Sequence, residues 1–144
     1  MENSNHFNVI VIGAGISGIG AGYYLKKNCP NKSFCIIEGR ENIGGTWDLF
    51  RYPGIRSDSD MFTLGYAFKP WKEQKTIANG PSILKYLKET VEENNLREKI
   101  KFSHKVLSAN WNSGSQKWEV KAAHNEQEVL LTANFLFMGT GYYN

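Results

Sequence analysis

The amino-acid sequence predicts an α/β domain, in which a parallel sheet with helices packed on it carries an inserted antiparallel β-meander. Three observations predict this fold. The β-branched run Val9–Ile12 is typical of a strand buried on both faces, and Ser33–Glu38 reads as a second strand. The residues between them suit a helix, which completes a strand–helix–strand unit. Between about residues 105 and 133, strand-like runs separated by short turns predict the meander.

The turn between the first strand and the first helix carries the dinucleotide fingerprint G-x-G-x-x-G. Gly13 allows a tight turn, Gly15 lets the backbone approach a pyrophosphate, and Gly18 lets the helix lie against the strand. Ile16 and Ser17 fall in the first helical turn, whose free N–H groups and partial positive charge suit an anion. The fingerprint therefore predicts a Rossmann-like dinucleotide-binding domain, with these five residues at the cofactor.

The same apolar stretch, Val9–Leu25, has an alternative interpretation as a membrane helix. It is almost long enough to span a bilayer, and Gly18 and Gly22 form a helix-dimer motif. However, the glycines within the stretch would weaken a lone helix. The first six residues contain no basic side chain, which argues against a signal peptide. We therefore expect no membrane segment and a cytoplasmic location.

The composition is that of one globular domain, with 144 residues of which 41% are apolar. The net charge of +3 comes from scattered basic residues, so no nucleic-acid partner is expected. Cys29 and Cys35 are spaced neither as a redox pair nor as zinc ligands, and Cys35 is predicted to be a small core residue. His6, His104 and His124 sit apart, so each is predicted to be structural, and no metal site is expected.

Glu38 ends the second strand, 38 − 13 = 25 positions after the first glycine of the fingerprint. An acidic residue at this point accepts hydrogen bonds from a ribose diol in dinucleotide-binding domains. A carboxylate there disfavours a 2′-phosphate, so NADP is not the predicted ligand of this first site. The alternative is a solvated glutamate at a strand end with no ligand. Gly39 and Arg40, which follow, are included in the predicted cofactor site.

A glycine pair, Gly44-Gly45, comes next and is followed by Thr46 and Trp47. Paired glycines let the backbone approach a ligand again, although a plain turn would also use them. Trp47 offers a flat apolar face that suits either a flavin ring or the protein core. Gly45, Thr46 and Trp47 are included in the predicted cofactor site.

Two helices are predicted in the middle of the chain. Ser57-x-x-Asp60 is a capping-box signature that predicts a short helix from about Asp58 to Tyr66. Asp58 and Asp60 would then be first-turn carboxylates, which the helix dipole favours. A longer helix with one apolar stripe is predicted from Gly80 to about residue 95, as scaffold without a site.

The last third of the sequence is predicted to be mostly β-structure. A short strand is predicted at Ile100–His104. The meander strands are predicted at Val106–Asn112, Lys117–Ala123 and Glu128–Thr132. Phe135–Met138 is predicted to resume a buried strand, which leads into Gly139-Thr140-Gly141.

Taken together, these motifs resemble those of the class B flavoprotein monooxygenases, which include the flavin-containing and the Baeyer–Villiger monooxygenases. The fingerprint with Glu38 is similar to the FAD site of the family, and Gly44-Gly45-Thr46-Trp47 occurs across the class. Arg51-Tyr52-Pro53-Gly54 followed by Asp58 is similar to the Baeyer–Villiger branch. Phe137–Gly141 resembles a second FAD-contact strand, with Gly139 where the family usually has alanine. The resemblance covers essentially the whole chain, but only the N-terminal part of such an enzyme.

The resemblance implies FAD as the cofactor and a catalytic role for Asp58, which would lie near the flavin and orient an arginine supplied by the NADPH domain. Motifs and resemblance together give one predicted cofactor-binding set: Gly13, Gly15, Ile16, Ser17, Gly18, Glu38, Gly39, Arg40, Gly45, Thr46, Trp47, Asp58, Val106, Thr140 and Gly141.

In a complete enzyme of this family, NADPH reduces the flavin and O₂ supplies oxygen for insertion beside a ketone or onto a soft heteroatom. A second glycine fingerprint for NADPH is absent from this sequence, as is the arginine partner of Asp58. We therefore expect an incomplete domain, inactive alone, whose NADPH site lies in a missing C-terminal part. Relatives that oxidise cyclic ketones tend to carry aromatic residues where this chain has Asp48-Leu49-Phe50, and a tyrosine at Leu64, which leaves the substrate open.

Two other functions stay open. The first is a truncated, non-catalytic dinucleotide-binding module, because the chain ends at Asn144, just after the turn at residues 139–141. The second is a plain NAD dehydrogenase domain, which Trp47 and the Arg-Tyr-Pro-Gly loop disfavour.

Overall fold

In a computed structural model, which describes residues 5–143, the chain folds as one mixed sheet with helices packed against it. The strands are β1 (His6–Ile12), β2 (Phe34–Ile37), β3 (Ile100–Lys101), β4 (Lys105–Asn112), β5 (Lys117–His124) and β6 (Gln127–Met138). The helices are α1 (Ile16–Asn28), α2 (Thr46–Leu49), α3 (Met61–Leu64) and α4 (Gly80–Glu93), with a short 3-10 helix at Arg97–Lys99. The predicted Rossmann-like α/β class is confirmed.

The sheet has a parallel half and an antiparallel half, with the strands in the order β3-β2-β1-β6-β5-β4. In the parallel half, Val9 of β1 pairs with Phe34 of β2 on one side and with Phe135 of β6 on the other. In the other half, β4, β5 and β6 pair as an antiparallel meander. β6 therefore belongs to both halves and joins them.

The predicted break between a strand at Glu128–Thr132 and another at Phe135–Met138 is wrong, because β6 runs through both without interruption. At the junction, Ala133 pairs with Trp118 of β5 and with Phe7 of β1. No glycine or proline lies within β6, so its backbone stays extended while its main partner changes from β5 to β1.

Both faces of β2 and of the last three residues of β1 are buried, as the unbroken apolar runs predict. On one face, β1 and β2 pack against α1 and α4, through residues that include Val11, Ile36, Ile19 and Leu87. On the other face they pack against the meander, through residues that include Ile10, Ile37, Val120 and Leu131. Cys35 lies in this second cluster, as predicted for a core residue, and burial raises the pKa of its thiol to about 12.

The helix predicted from about Asp58 to Tyr66 is shorter, and its predicted cap is wrong. α3 begins at Met61, and its N-cap is Asp60, whose carboxylate accepts hydrogen bonds from the Thr63 backbone N–H and hydroxyl at 3.0 Å each. These bonds lower the pKa of Asp60. Asp60 is thus the N-cap in place of Ser57, which the capping-box signature predicts, and Asp58 lies before the helix, so neither aspartate is a first-turn carboxylate.

The end of β6 is more exposed than predicted. Phe135 is 70% exposed, Phe137 43% and Met138 61%, although the apolar run predicts a buried strand. Phe135 and Phe137 are the register partners of Val9 and Val11, so they point to the α1 side of the sheet. Within residues 5–143, no helix covers this part of that side, which accounts for the exposure.

None of the helices formed by the described part of the chain combines the length and the apolarity that crossing a bilayer requires.

Candidate functional site

The turn between β1 and α1 leaves no space for side chains at two of its glycines. Gly13 has a φ of +104°, and a Cβ added to it would overlap the Gly139 carbonyl oxygen. A Cβ on Gly18 would overlap the Gly13 carbonyl oxygen. The backbones of β1, α1 and the residue after β6 therefore meet at one point, which fits the roles predicted for these glycines.

Two glycines pack closely together at the start of α1. Gly15 is the N-cap of α1 with an extended backbone, and no side chain in the described residues caps this helix. A Cβ on Gly45 would lie 3.1 Å from the Gly15 Cα. The unbonded N–H groups at the start of α1 therefore face backbone and open space, which is the arrangement that binds anions at helix N-termini.

Both glycines line a cleft of about 520 Å³ at the carboxyl ends of β1, β2 and β6. Most of the predicted cofactor-binding residues line the cleft: Gly13, Gly15, Ile16, Ser17, Glu38, Gly39, Arg40, Gly45, Thr46, Trp47, Val106, Thr140 and Gly141. Gly18 lies behind the glycine turn, and Asp58 lines an adjoining hollow. Sequence reasoning did not select His104 and Lys105, which also line the cleft next to Val106.

Glu38 is buried and bonded, so the alternative of a solvated glutamate at a strand end is wrong. Its side chain is 9% exposed. One carboxylate oxygen accepts the Ala14 N–H at 2.9 Å, and the other accepts the Arg40 N–H at 3.1 Å. Glu38 therefore holds the glycine turn against the end of β2, with further lone pairs left for other donors.

A buried carboxylate that sequence reasoning missed lies beside the cleft. Asp48 of α2 is 2% exposed and is paired with two arginines. Arg40 Nη2 lies 2.7 Å from Asp48 Oδ2, and Arg51 Nη2 lies 2.5 Å from Asp48 Oδ1. Arg51 Nε also donates to the Asp48 carbonyl at 3.0 Å. Asp48 thus links the loop after β2 and the Arg51 loop to α2. In the sequence, the i,i+3 spacing of Asp48 and Arg51 is the only local pattern that indicates these ion pairs.

The hollow that contains Asp58 has a volume of about 390 Å³ and shares Thr46, Trp47 and Tyr143 with the cleft. Trp47 is half-buried, packs against the helix-side core as one of its two predicted roles requires, and also lines the cleft. The pKa of Tyr143 is raised by its hydrogen bond with Tyr142 and, to a smaller extent, by the charge of Asp58. Asp58, Tyr142 and Tyr143 thus line the same hollow.

The prediction that the histidines sit apart is wrong for two of them. The rings of His104 and His124 stack with centroids 4.0 Å apart and an angle of 12° between their planes. Each ring nitrogen Nδ1 is within hydrogen-bond distance of a backbone carbonyl, that of Phe102 or of Ser103. The meander brings together rings that are distant in sequence. Among residues 5–143, no group of three or more His, Cys, Asp or Glu side chains could hold a metal ion.

Fold and cleft together have the architecture of a Rossmann-like domain. In agreement, the family model of the NAD(P)-binding Rossmann-like domain matches residues 11–73. The chain is 50% identical over 141 residues to the FAD-containing monooxygenase EthA of Mycolicibacterium smegmatis, covering 98% of this chain and 29% of that protein. It is 54% identical over 138 residues to the probable FAD-binding monooxygenase AlmA of Acinetobacter sp, covering 95% of this chain and 28% of that protein.

Solved structures that resemble this chain are also monooxygenases. A steroid monooxygenase bound to NADP has a TM-score of 0.85 at 29% identity, over 94% of this chain and 26% of that one. An open structure of cyclohexanone monooxygenase has a TM-score of 0.86 at 28% identity, over 96% of this chain and 27% of that one. The homologues of this chain are thus FAD-containing monooxygenases, which confirms the predicted resemblance. The chain spans less than a third of their length.

The buried ion pairs of Asp48 lead to a prediction about stability. Asp48→Asn keeps the shape of the side chain but removes its charge from between the two arginines. Breaking a fully buried pair costs about 3–5 kcal/mol, but here both guanidinium groups are partly exposed and can be solvated again. We therefore expect the free energy of unfolding to fall by about 2 kcal/mol, as measured by urea denaturation.

Glu128→Gln is the matched control, because Glu128 pairs with Lys121 while both side chains are at least half exposed. Its effect should stay below about 0.5 kcal/mol. Equal effects of the two substitutions would show that the Asp48 pairs do not hold the loops together.

Proposed function

We propose that the chain forms the FAD-binding part of an NADPH- and O₂-dependent flavoprotein monooxygenase. One observation carries the proposal: the glycine turn, the uncapped start of α1 and the Glu38 carboxylate converge on a single cleft. Homology to FAD-containing monooxygenases supports FAD as the ligand of that cleft. The activity is proposed for a longer protein, since the chain spans less than a third of its relatives, and we expect the chain alone to be inactive.

The start of α1 fits the pyrophosphate of a dinucleotide. Because Gly15 and Gly45 pack together without side chains, an extended anion can lie over both backbones. The N–H groups of Ile16 and Ser17 are donors for its oxygens, and the helix dipole adds a favourable electrostatic contribution. No acidic residue occupies the first turn of α1, so nothing there would repel the anion.

Glu38 fits the adenosine ribose. Its carboxylate is fixed by two backbone N–H groups and still has lone pairs that can accept from the ribose hydroxyls. A negative charge in this buried position disfavours a ribose that carries a 2′-phosphate. This preference is consistent with FAD in the cleft and with NADPH bound by another part of a longer protein.

The other end of the cleft fits the flavin. When bound, FAD would supply the redox chemistry with NADPH and O₂. The Trp47 ring provides a flat wall that cleft and hollow share, and we propose that Asp58 orients a cationic group there. In its support, Asp58 is exposed and has no role at the start of α3. The proposed substrate is a small ketone or a compound with a soft heteroatom.

The ribose assignment predicts the effect of Glu38→Gln. The amide keeps the size of the side chain but loses the charge that accepts from ribose hydroxyls. We expect FAD to bind about 10- to 100-fold more weakly in the full-length protein, measured by calorimetric titration. Glu41→Gln is the control, because Glu41 is exposed and does not line the cleft. If the two substitutions change the dissociation constant equally, Glu38 does not hold the ribose.

The role of Asp58 predicts a difference from Asp60. Asp58→Ala should leave melting and FAD content unchanged but release more hydrogen peroxide per NADPH consumed, because a positioned cation is lost from the transition state. Asp60→Ala should lower the melting temperature through loss of the cap and leave oxygenation coupled. Melting, FAD content and peroxide release of both full-length variants provide the test. Full coupling in Asp58→Ala would contradict the catalytic assignment.

A further inference from the structure

Ser57 has a buried hydroxyl group that the proposed function does not yet use. The residue is 3% exposed, and its Oγ has no hydrogen-bond partner within the described part of the chain. A buried hydroxyl without a partner destabilises the folded protein, and native structures contain few of them. Such a group therefore points to a partner that binds from outside the chain.

The backbone of Ser57 is held in place, so only rotation about its Cα–Cβ bond can bring the hydroxyl to the surface of the hollow that contains Asp58. The Ser57 N–H donates to the Ala78 carbonyl at 2.9 Å, and the Gly80 N–H donates to the Ile55 carbonyl at 2.9 Å. Arg56 and Asn79 form an antiparallel bridge between the same two segments. These contacts fix the backbone of Ser57 against the neighbouring segment.

Ser57 also lies beside the cleft in which a ligand would bind. It lines the hollow of about 390 Å³ together with Trp47 and Asp58, and this hollow adjoins the cleft through shared walls. A ligand that fills the cleft and extends past Trp47 would place its far end in the hollow. That end must be flat enough to lie along the Trp47 ring and polar enough to meet a hydroxyl and a carboxylate.

We propose that the Ser57 hydroxyl donates a hydrogen bond to the polar edge of the flavin ring and thereby adjusts its reduction potential. The inference rests on the proposed binding of FAD in the cleft. The edge of a flavin carries ring nitrogens and carbonyl oxygens, which accept such a bond. Because electron density on that edge increases when the flavin is reduced, a donor there favours the reduced form and makes the potential more positive.

The test compares Ser57→Ala and Ser57→Thr in the full-length protein, with Ser113→Ala as control. Ser113 is an exposed serine in the turn between β4 and β5 and lines neither the cleft nor the hollow. Ser57→Ala should leave the melting temperature of the FAD-free protein unchanged or raise it, because no bond within the protein is lost. It should weaken FAD binding about 3- to 10-fold and make the flavin potential more negative. Ser57→Thr, which keeps a hydroxyl, should recover the potential, and Ser113→Ala should change neither property.

Two outcomes would overturn the inference, and they are distinguishable. If the unmodified full-length protein binds no FAD, the proposed function fails together with this inference. If it binds FAD but Ser57→Ala leaves the absorption spectrum and the potential of the flavin unchanged, only this inference fails. A lower melting temperature of FAD-free Ser57→Ala in that case would identify Ser57 as a purely structural residue.

Discussion

The contact between three backbone segments at the end of β1 is the constraint on which the rest of the site depends. Gly13 lies against the carbonyl of Gly139, and Gly18 lies against the carbonyl of Gly13, with no space for a Cβ at either position. The Gly139 N–H completes the contact by donating to the Ile12 carbonyl at 2.8 Å. Because α1 can start only where this contact allows, its N–H groups face the carboxyl edge of the sheet, where the cleft lies.

Two buried carboxylates fix the loops around the start of α1. Glu38 bonds to the glycine turn and to its own loop, whereas Asp48 joins that loop to the segment that begins at Arg51. Glu38 accepts two backbone hydrogen bonds, and both oxygens of Asp48 pair with arginine, as buried charges require, although Asp48 Oδ2 meets Arg40 as an ion pair without hydrogen-bond geometry. The cleft therefore has walls that are positioned before any ligand binds, and preorganised walls reduce the entropy that binding would otherwise cost.

The parts of this structure that sequence predicts are those encoded by local patterns. The strand–glycine–helix unit and the position of Glu38 follow from short motifs, and parallel strands bring their carboxyl ends to one edge, so the predicted residues meet there. Other features depend on contacts between segments whose relative placement no local sequence pattern encodes. They are the ion pairs of Asp48, the stacking of His104 on His124 and the burial of Ser57. The continuity of β6 was missed for the same reason, because two partner strands hold it extended.

The most direct test of the account is FAD binding by Gly15→Ala in the full-length protein. Gly15 has a φ of −84°, which alanine adopts freely, and its Cβ would lie 3.6 Å from the Gly45 Cα, an ordinary contact. The FAD-free protein should therefore melt at an unchanged temperature. The added methyl group would stand on the backbone surface assigned to the pyrophosphate, so we expect FAD to bind at least ~10-fold more weakly. Unchanged FAD affinity would contradict the claim that the pyrophosphate lies against these two glycines.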